Sequence, residues 1–243
     1  MRKIIIVELL KLNNKTNIIF LILSILMYAR DYFFLKINSE LEGVILTSNY
    51  VYPTFTYTTI SSINLLTLWI VQNISFEFQN KITQRSIANG FSKLDYFLSK
   101  IFFILLTSLF FSVMYIITIF LFIKNNGIEI QSYYIVERAL TIFIYSFSLG
   151  MLGFLFAQIF RHSLSASVCY YIYFFVDILL AQYYSFFKIL PINSFRCIIN
   201  NDPKFVSYFF DLTTQNILIY IFWFTLILIT NYIIFLKRDF APL

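Results

Sequence analysis

Charge is what this sequence has least of. Lys, Arg, Asp and Glu make up 12% of its 243 residues, about half of what a water-facing domain carries. So few charges cannot cover a soluble surface, which excludes the one or two ordinary soluble domains that length by itself would give. Histidine occurs once, as His162. A metalloenzyme within the membrane needs clustered imidazoles and carboxylates. An intramembrane serine protease needs a Ser/His pair with its serine in a Gly-x-Ser-x-Gly-like setting. Neither pattern occurs. The five glycines include no Gly-rich run ending in Lys-Ser/Thr, so the chain has no phosphate-binding loop with which to hydrolyse ATP. Its two cysteines, Cys169 in an apolar run and Cys197 in a later loop, give no disulfide framework.

What the chain has instead is long apolar runs, with 60% of its residues hydrophobic. A helix needs about 20 apolar residues to cross about 30 Å of hydrocarbon. Five runs qualify, at 54–76, 101–123, 139–160, 163–187 and 212–236, and only the fourth of them carries a charge, Asp177. A sixth run, 16–29, is shorter. It reaches full length by continuing through Arg30 and Asp31 into 32–35, with those charges at the outer headgroups. It has no small-residue cleavage site, so it is read as a retained first span. The predicted fold is an all-α integral membrane protein of six spans.

Orientation follows from where Lys and Arg lie. With the N-terminus inside, the inner segments hold eleven Lys and Arg against Glu8, Glu77, Asp95 and Asp239, and the outer ones hold seven against seven acids. Asp177 accounts for the remaining charge, bringing the total to the net +6 of the whole chain. The basic excess is therefore an inner-face bias, with both termini predicted to be cytoplasmic, and nucleic acid is not needed to explain it.

Several segments are not simple spans. In residues 2–14, Ile5, Leu9 and Leu12 share one helical face while Glu8 and Lys11 sit on another, the pattern of an interfacial helix. It either anchors the first span or moves with it. Between spans two and three, residues 79–89 predict a short polar helix. Gly90 suits its end, and Ser92 with Asp95 predicts a capping box that starts the next helix. A rigid charged helix here suits docking to a cytoplasmic partner, and a solvated connector is the plainer reading.

The fourth span aligns Ser146, Gly150, Gly153 and Ala157 on one face. Small residues of this kind allow close helix approach, within one protomer or between two. The second span is rich in hydroxyls and amides, Ser61, Asn64 and Thr67 among them. These either line a pathway or bond across buried helix contacts. Asp177 must face the protein interior or water, as a functional group or as a satisfied structural acid. Residues 189–199 and 205–210 are apolar but too short to cross. They are expected at the outer interface or partly re-entrant, with Pro191 breaking the helix.

This order of elements resembles the permease subunits of type-2 ABC transporters, the exporter-like class with six spans. The resemblance extends over essentially the whole chain. It rests on Glu8-Leu-Leu-Lys11, on Phe76-Glu77…Gly90-Phe91-Ser92-Lys93…Lys100, on the broken outer segment at Leu190-Pro191, and on the basic-acidic tail of the last span. It implies one transmembrane domain over 1–243, an N-terminal elbow helix, and a coupling helix between spans two and three. That coupling helix would meet a separate ATPase subunit through Glu77, Lys81, Gln84, Arg85, Gly90, Ser92 and Lys93. It also implies a second permease subunit, identical or related, beside this one. ATP and Mg would be bound by the ATPase partner, and the chain itself would not be an enzyme. A phenylalanine-rich interior suits hydrophobic or amphipathic cargo, which the resemblance leaves unnamed. A channel or assembly scaffold without an ATPase shares the span pattern but does not require a structured, capped inner loop.

Overall fold

The computed structural model describes residues 15–41, 48–126, 132–184, 189–196 and 214–237, and every regular element among them is an α-helix. These are α1 (Lys15–Leu41), α2 (Ser48–Gln79), α3 (Ile82–Ala88), α4 (Lys93–Asn126), α5 (Ser132–Phe160), α6 (Ser163–Tyr183), α7 (Pro191–Arg196) and α8 (Thr214–Lys237). Four are long and apolar enough to cross a membrane: α4, Ile135–Phe160 of α5, Ser163–Leu180 of α6 and Ile217–Lys237 of α8. That is the make-up of a multi-pass membrane protein. The helices α1 and α2 are as long, at 27 and 32 residues, but α1 exposes Arg30 and Lys36 and α2 carries the run of hydroxyls and amides. The segments 2–14 and 205–210, Cys197 and the residues after Lys237 lie outside the described residues.

A capping group, and not the change in hydropathy, sets where α4 starts. Thus α4 begins at Lys93, eight residues before its apolar run, because Ser92 Oγ accepts the Asp95 amide at 3.0 Å and donates to the Asp95 carboxylate at 2.7 Å. The two side chains of the capping box therefore bond each other. Helix α6 ends at Tyr183, and Tyr184 is extended.

The centre of the bundle is α5, which packs against α2, α4, α6, α7 and α8. Its small residues make this possible. A Cβ on Gly150 would stand 2.4 Å from Ile104 Cγ2 of α4, and one on Gly153 would stand 2.9 Å from Thr67 Cγ2 and 3.0 Å from Val71 Cγ2 of α2. Ser146 and Ala157 are buried on the same stripe. The close approach that these residues permit is made here within one chain.

In contrast, α4 is two-sided. Ile104, Phe111, Tyr115, Ile119 and Phe122 are fully buried, while Leu109, Val113, Ile117, Phe120 and Leu121 are exposed. Apolar residues all round a helix are what a lipid-facing element requires.

The first helix is fastened by polar contacts. Tyr28 donates to Thr59 Oγ1 at 2.8 Å, and Asn125 Nδ2 donates to the Tyr32 hydroxyl at 2.6 Å. The Tyr32 and Phe55 rings both meet Phe122 edge-on.

Candidate functional site

The segment between α2 and α4 is shorter as a helix than its sequence predicts. Helix α2 runs on through Glu77 and Phe78, whose side chains continue its packed face, and the chain turns at Lys81, a left-handed residue with φ 56°. Only then does α3 begin, so its start moves from 79 to Ile82. Its end falls where glycine placed it. Gly90 has φ +95°, its amide donates to Ile87 O at 3.0 Å, and the Phe91 amide donates to Ser86 O at 3.2 Å. This pair of bonds is a Schellman motif, which satisfies carbonyls the helix would leave open.

Behind α3 lies a buried polar network. Lys100 Nζ stands 2.8 Å from Glu77 Oε1 and 2.7 Å from Oε2, and both side chains are enclosed. The Tyr96 hydroxyl donates to Glu77 Oε2 and accepts from Thr83 Oγ1 of α3 at 2.9 Å. The Tyr96 ring lies 4.9 Å below the Lys100 ammonium and stacks flat on Phe235 of α8, with centroids 5.7 Å apart. A charge taken out of water must be paired and hydrogen-bonded, and this arrangement does both. Through it α3 is tied to α2 by Glu77, to α4 by Tyr96 and to α8 by Phe235. Lys93 strengthens the same corner by donating to the Leu236 carbonyl at 3.1 Å.

The residues expected to meet a partner therefore separate into two groups. Glu77 faces inward, buried behind α3 and bonded to Lys100 and to the Tyr96 hydroxyl that Thr83 also meets. Lys81, Arg85, Gly90 and Ser92 are exposed, while Gln84 and Lys93 are half-buried. Thr83 and Tyr96 were not singled out by sequence. The available signal was the four-residue spacing of Tyr96 and Lys100, which puts both on one face of α4.

The polar residues of α2 also divide. Thr58, Thr59, Ser62 and Thr67 are buried; Thr67 donates to Ile63 O at 2.9 Å, and Ser62 contacts Met27 of α1. Asn64 is half-buried with its Oδ1 enclosed and unbonded, whereas Ser61 and Gln72 are exposed. Thr59 and Thr67 thus donate to carbonyls of their own helix, and Thr59 and Ser62 also meet α1.

Asp177 is fully buried and accepts the backbone amide of Ile192 at 3.0 Å, with Tyr173, one turn earlier on α6, against it. Pro191, expected to break a helix, instead opens α7. Its missing N–H costs nothing at a first helical position. Ile192 and Phe195 are buried, and Trp223 Nε1 of α8 holds the Ile189 carbonyl at 2.7 Å. Residues 189–196 are thus tucked among α5, α6 and α8.

Among the described residues, no group of three His, Cys, Asp or Glu could hold a metal, and Cys169 is a half-buried free thiol. No protein-family model matches the chain, and no curated protein matches it. Fold and site define the class directly: an all-helical, multi-pass membrane protein with a short helix clamped to one end of its bundle.

Proposed function

We propose that this chain is the permease subunit of an ATP-driven exporter of the type-2 ABC class, with α3 as the helix that receives motion from a separate ATPase. The observation that carries this reading is the network of Thr83, Tyr96, Glu77 and Lys100 behind α3. A connecting loop needs no buried ion pair, because burying charge costs several kcal/mol unless geometry compensates. A helix that transmits displacement does need one, since a push on its exposed side must reach α2, α4 and α8 without being lost in side-chain rearrangement. Arg85, Asn89 and Gly90 form the exposed side on which a partner would press.

In this reading α1 and α2 complete six spans, the α3 end is cytoplasmic, and residues 2–14 are the elbow helix. A second permease subunit accounts for a further feature. Ser61, Leu65, Gln72 and Phe76 are all exposed, and their spacing places them on one face of α2. An amide facing lipid tails is costly, whereas facing a second subunit or a pathway between two subunits satisfies it. Asp177 then serves as a structural acid that seats α7, and the cargo is of the hydrophobic or amphipathic class.

The test is co-expression with the ABC ATPase whose gene lies nearest. The two chains should co-elute, and ATP hydrolysis by the complex should fall when Arg85 or Gly90 is substituted. Failure of co-elution, or hydrolysis indifferent to those substitutions, sinks the proposal.

A further inference from the structure

We infer that the corner between α2 and α3 and the corner between α5 and α6 together bind the phosphate headgroup of an anionic phospholipid, through Lys81 and Arg161. Both residues are left-handed, with φ 56° and 55°. Glycine adopts that conformation freely, and an L side chain is strained in it. Each corner therefore keeps a cation at a position where glycine would be easier.

The two corners are joined. Gln79 Oε1 accepts from Ser163 Oγ at 3.3 Å and from the Ser163 amide at 3.4 Å. Lys81 and Arg161 each lie two residues from that link, both exposed. Among the described residues the acids at this end are Glu77, held by Lys100, and Asp95, bonded to Ser92. Neither neutralises the two cations.

The surroundings say what kind of anion fits. Arg161 falls between two helices apolar enough to cross a membrane, Ile135–Phe160 and Ser163–Leu180. It therefore sits where hydrocarbon gives way to headgroups. Phe160 and Leu164, which flank the Arg161 corner, are 37% and 70% exposed, and acyl chains would cover them. A soluble acidic protein would meet the charges and leave those side chains bare. A phospholipid meets both: its phosphate lies between the ammonium and the guanidinium, with its tails along α5 and α6. Long basic side chains suit this, keeping the charge at the interface while their stems lie on apolar surface. The inference does not depend on which leaflet meets the α3 end, nor on the transport reading.

The experiment titrates the purified full chain in detergent with fluorescent phosphatidylglycerol and, separately, phosphatidylcholine. The wild-type chain should prefer phosphatidylglycerol. Lys81→Asn and Arg161→Asn, chosen because asparagine tolerates left-handed backbone, should each weaken phosphatidylglycerol binding about fivefold, and together about 25-fold. Phosphatidylcholine binding should not change. The pair Lys81→Gly and Arg161→Gly repeats the test with backbone strain relieved, should either asparagine variant fold poorly. Lys237→Asn, a cation at the same end but outside the two corners, should leave the preference intact. Unchanged preference in the double variants overturns the inference, as does an equal loss in Lys237→Asn. Full competition by inorganic phosphate would make the site one for free phosphate and overturn the lipid assignment.

Discussion

Replacing Lys100 by methionine removes one half of a buried ion pair while keeping most of the unbranched apolar stem. The carboxylate of Glu77 then loses an ammonium at 2.8 and 2.7 Å from its two oxygens and keeps the Tyr96 hydroxyl. A carboxylate in that position lowers its free energy by taking up a proton. From an ordinary glutamate pKa of about 4.3, protonation costs about 1.4 kcal/mol per pH unit, or about 3.7 kcal/mol at pH 7. That agrees with the roughly 3–5 kcal/mol lost when one partner of a buried pair is removed. Because the folded variant binds the extra proton, its stability is restored as pH falls toward the ordinary carboxyl range and lost as pH rises. The deficit should shrink to about 1 kcal/mol at pH 5. Unfolding by dodecyl sulfate in mixed micelles, followed through the fluorescence of tryptophans that include the buried Trp69, gives both numbers. The double variant E77Q/K100M, with no charge to bury, should recover most of the loss and so report a large coupling energy. A deficit below about 1 kcal/mol that is the same at both pH values would refute the reasoning. It would mean that water reaches the pair, and that it is worth no more than a surface bridge.

Other perturbations test other contacts. Gly150→Ala should cost about 1–3 kcal/mol in the same unfolding assay, because the new methyl falls 2.4 Å from Ile104 Cγ2, so Ile104 must change rotamer or α4 must shift. Tyr96→Phe removes the hydroxyl that joins Thr83 to Glu77, so amide exchange in α3 should quicken while that in α5 does not. A loss of about 1–2 kcal/mol goes with it. Asp177→Leu leaves the Ile192 amide buried without its carboxylate acceptor. Exchange across 189–196 should rise strongly, whereas Asp177→Asn, which keeps an oxygen there, should change it little.

The sequence by itself determined the surroundings the chain needs and two of its helix boundaries, the end of α3 and the start of α4. Sparse charge and long apolar runs require a membrane, whatever the tertiary packing. The turn at Gly90 and the cap at Ser92 are equally legible, because both depend on bonds reaching three to five residues along the chain. Local bonds of that range are fixed by local composition. The stripe of Ser146, Gly150, Gly153 and Ala157 announced a close helix contact, though not its partner.

Tertiary structure decided everything that joins residues far apart in sequence. Glu77 meets Lys100 because a short helix and two corners fold α4 back beside α2, and nothing local says that this glutamate turns inward. Gly150 and Gly153 find Ile104 and Thr67 because α5 lies in the middle of the bundle. Asp177 finds the Ile192 amide, and Pro191 opens a helix there, because residues 189–196 fold inward between α6 and α8. Residue types, in short, limit which contacts a buried acid or a small residue can accept, while the path of the backbone chooses among them. The scarcity of charge, from which the membrane was inferred, is also why the few charges that are buried must be placed so carefully.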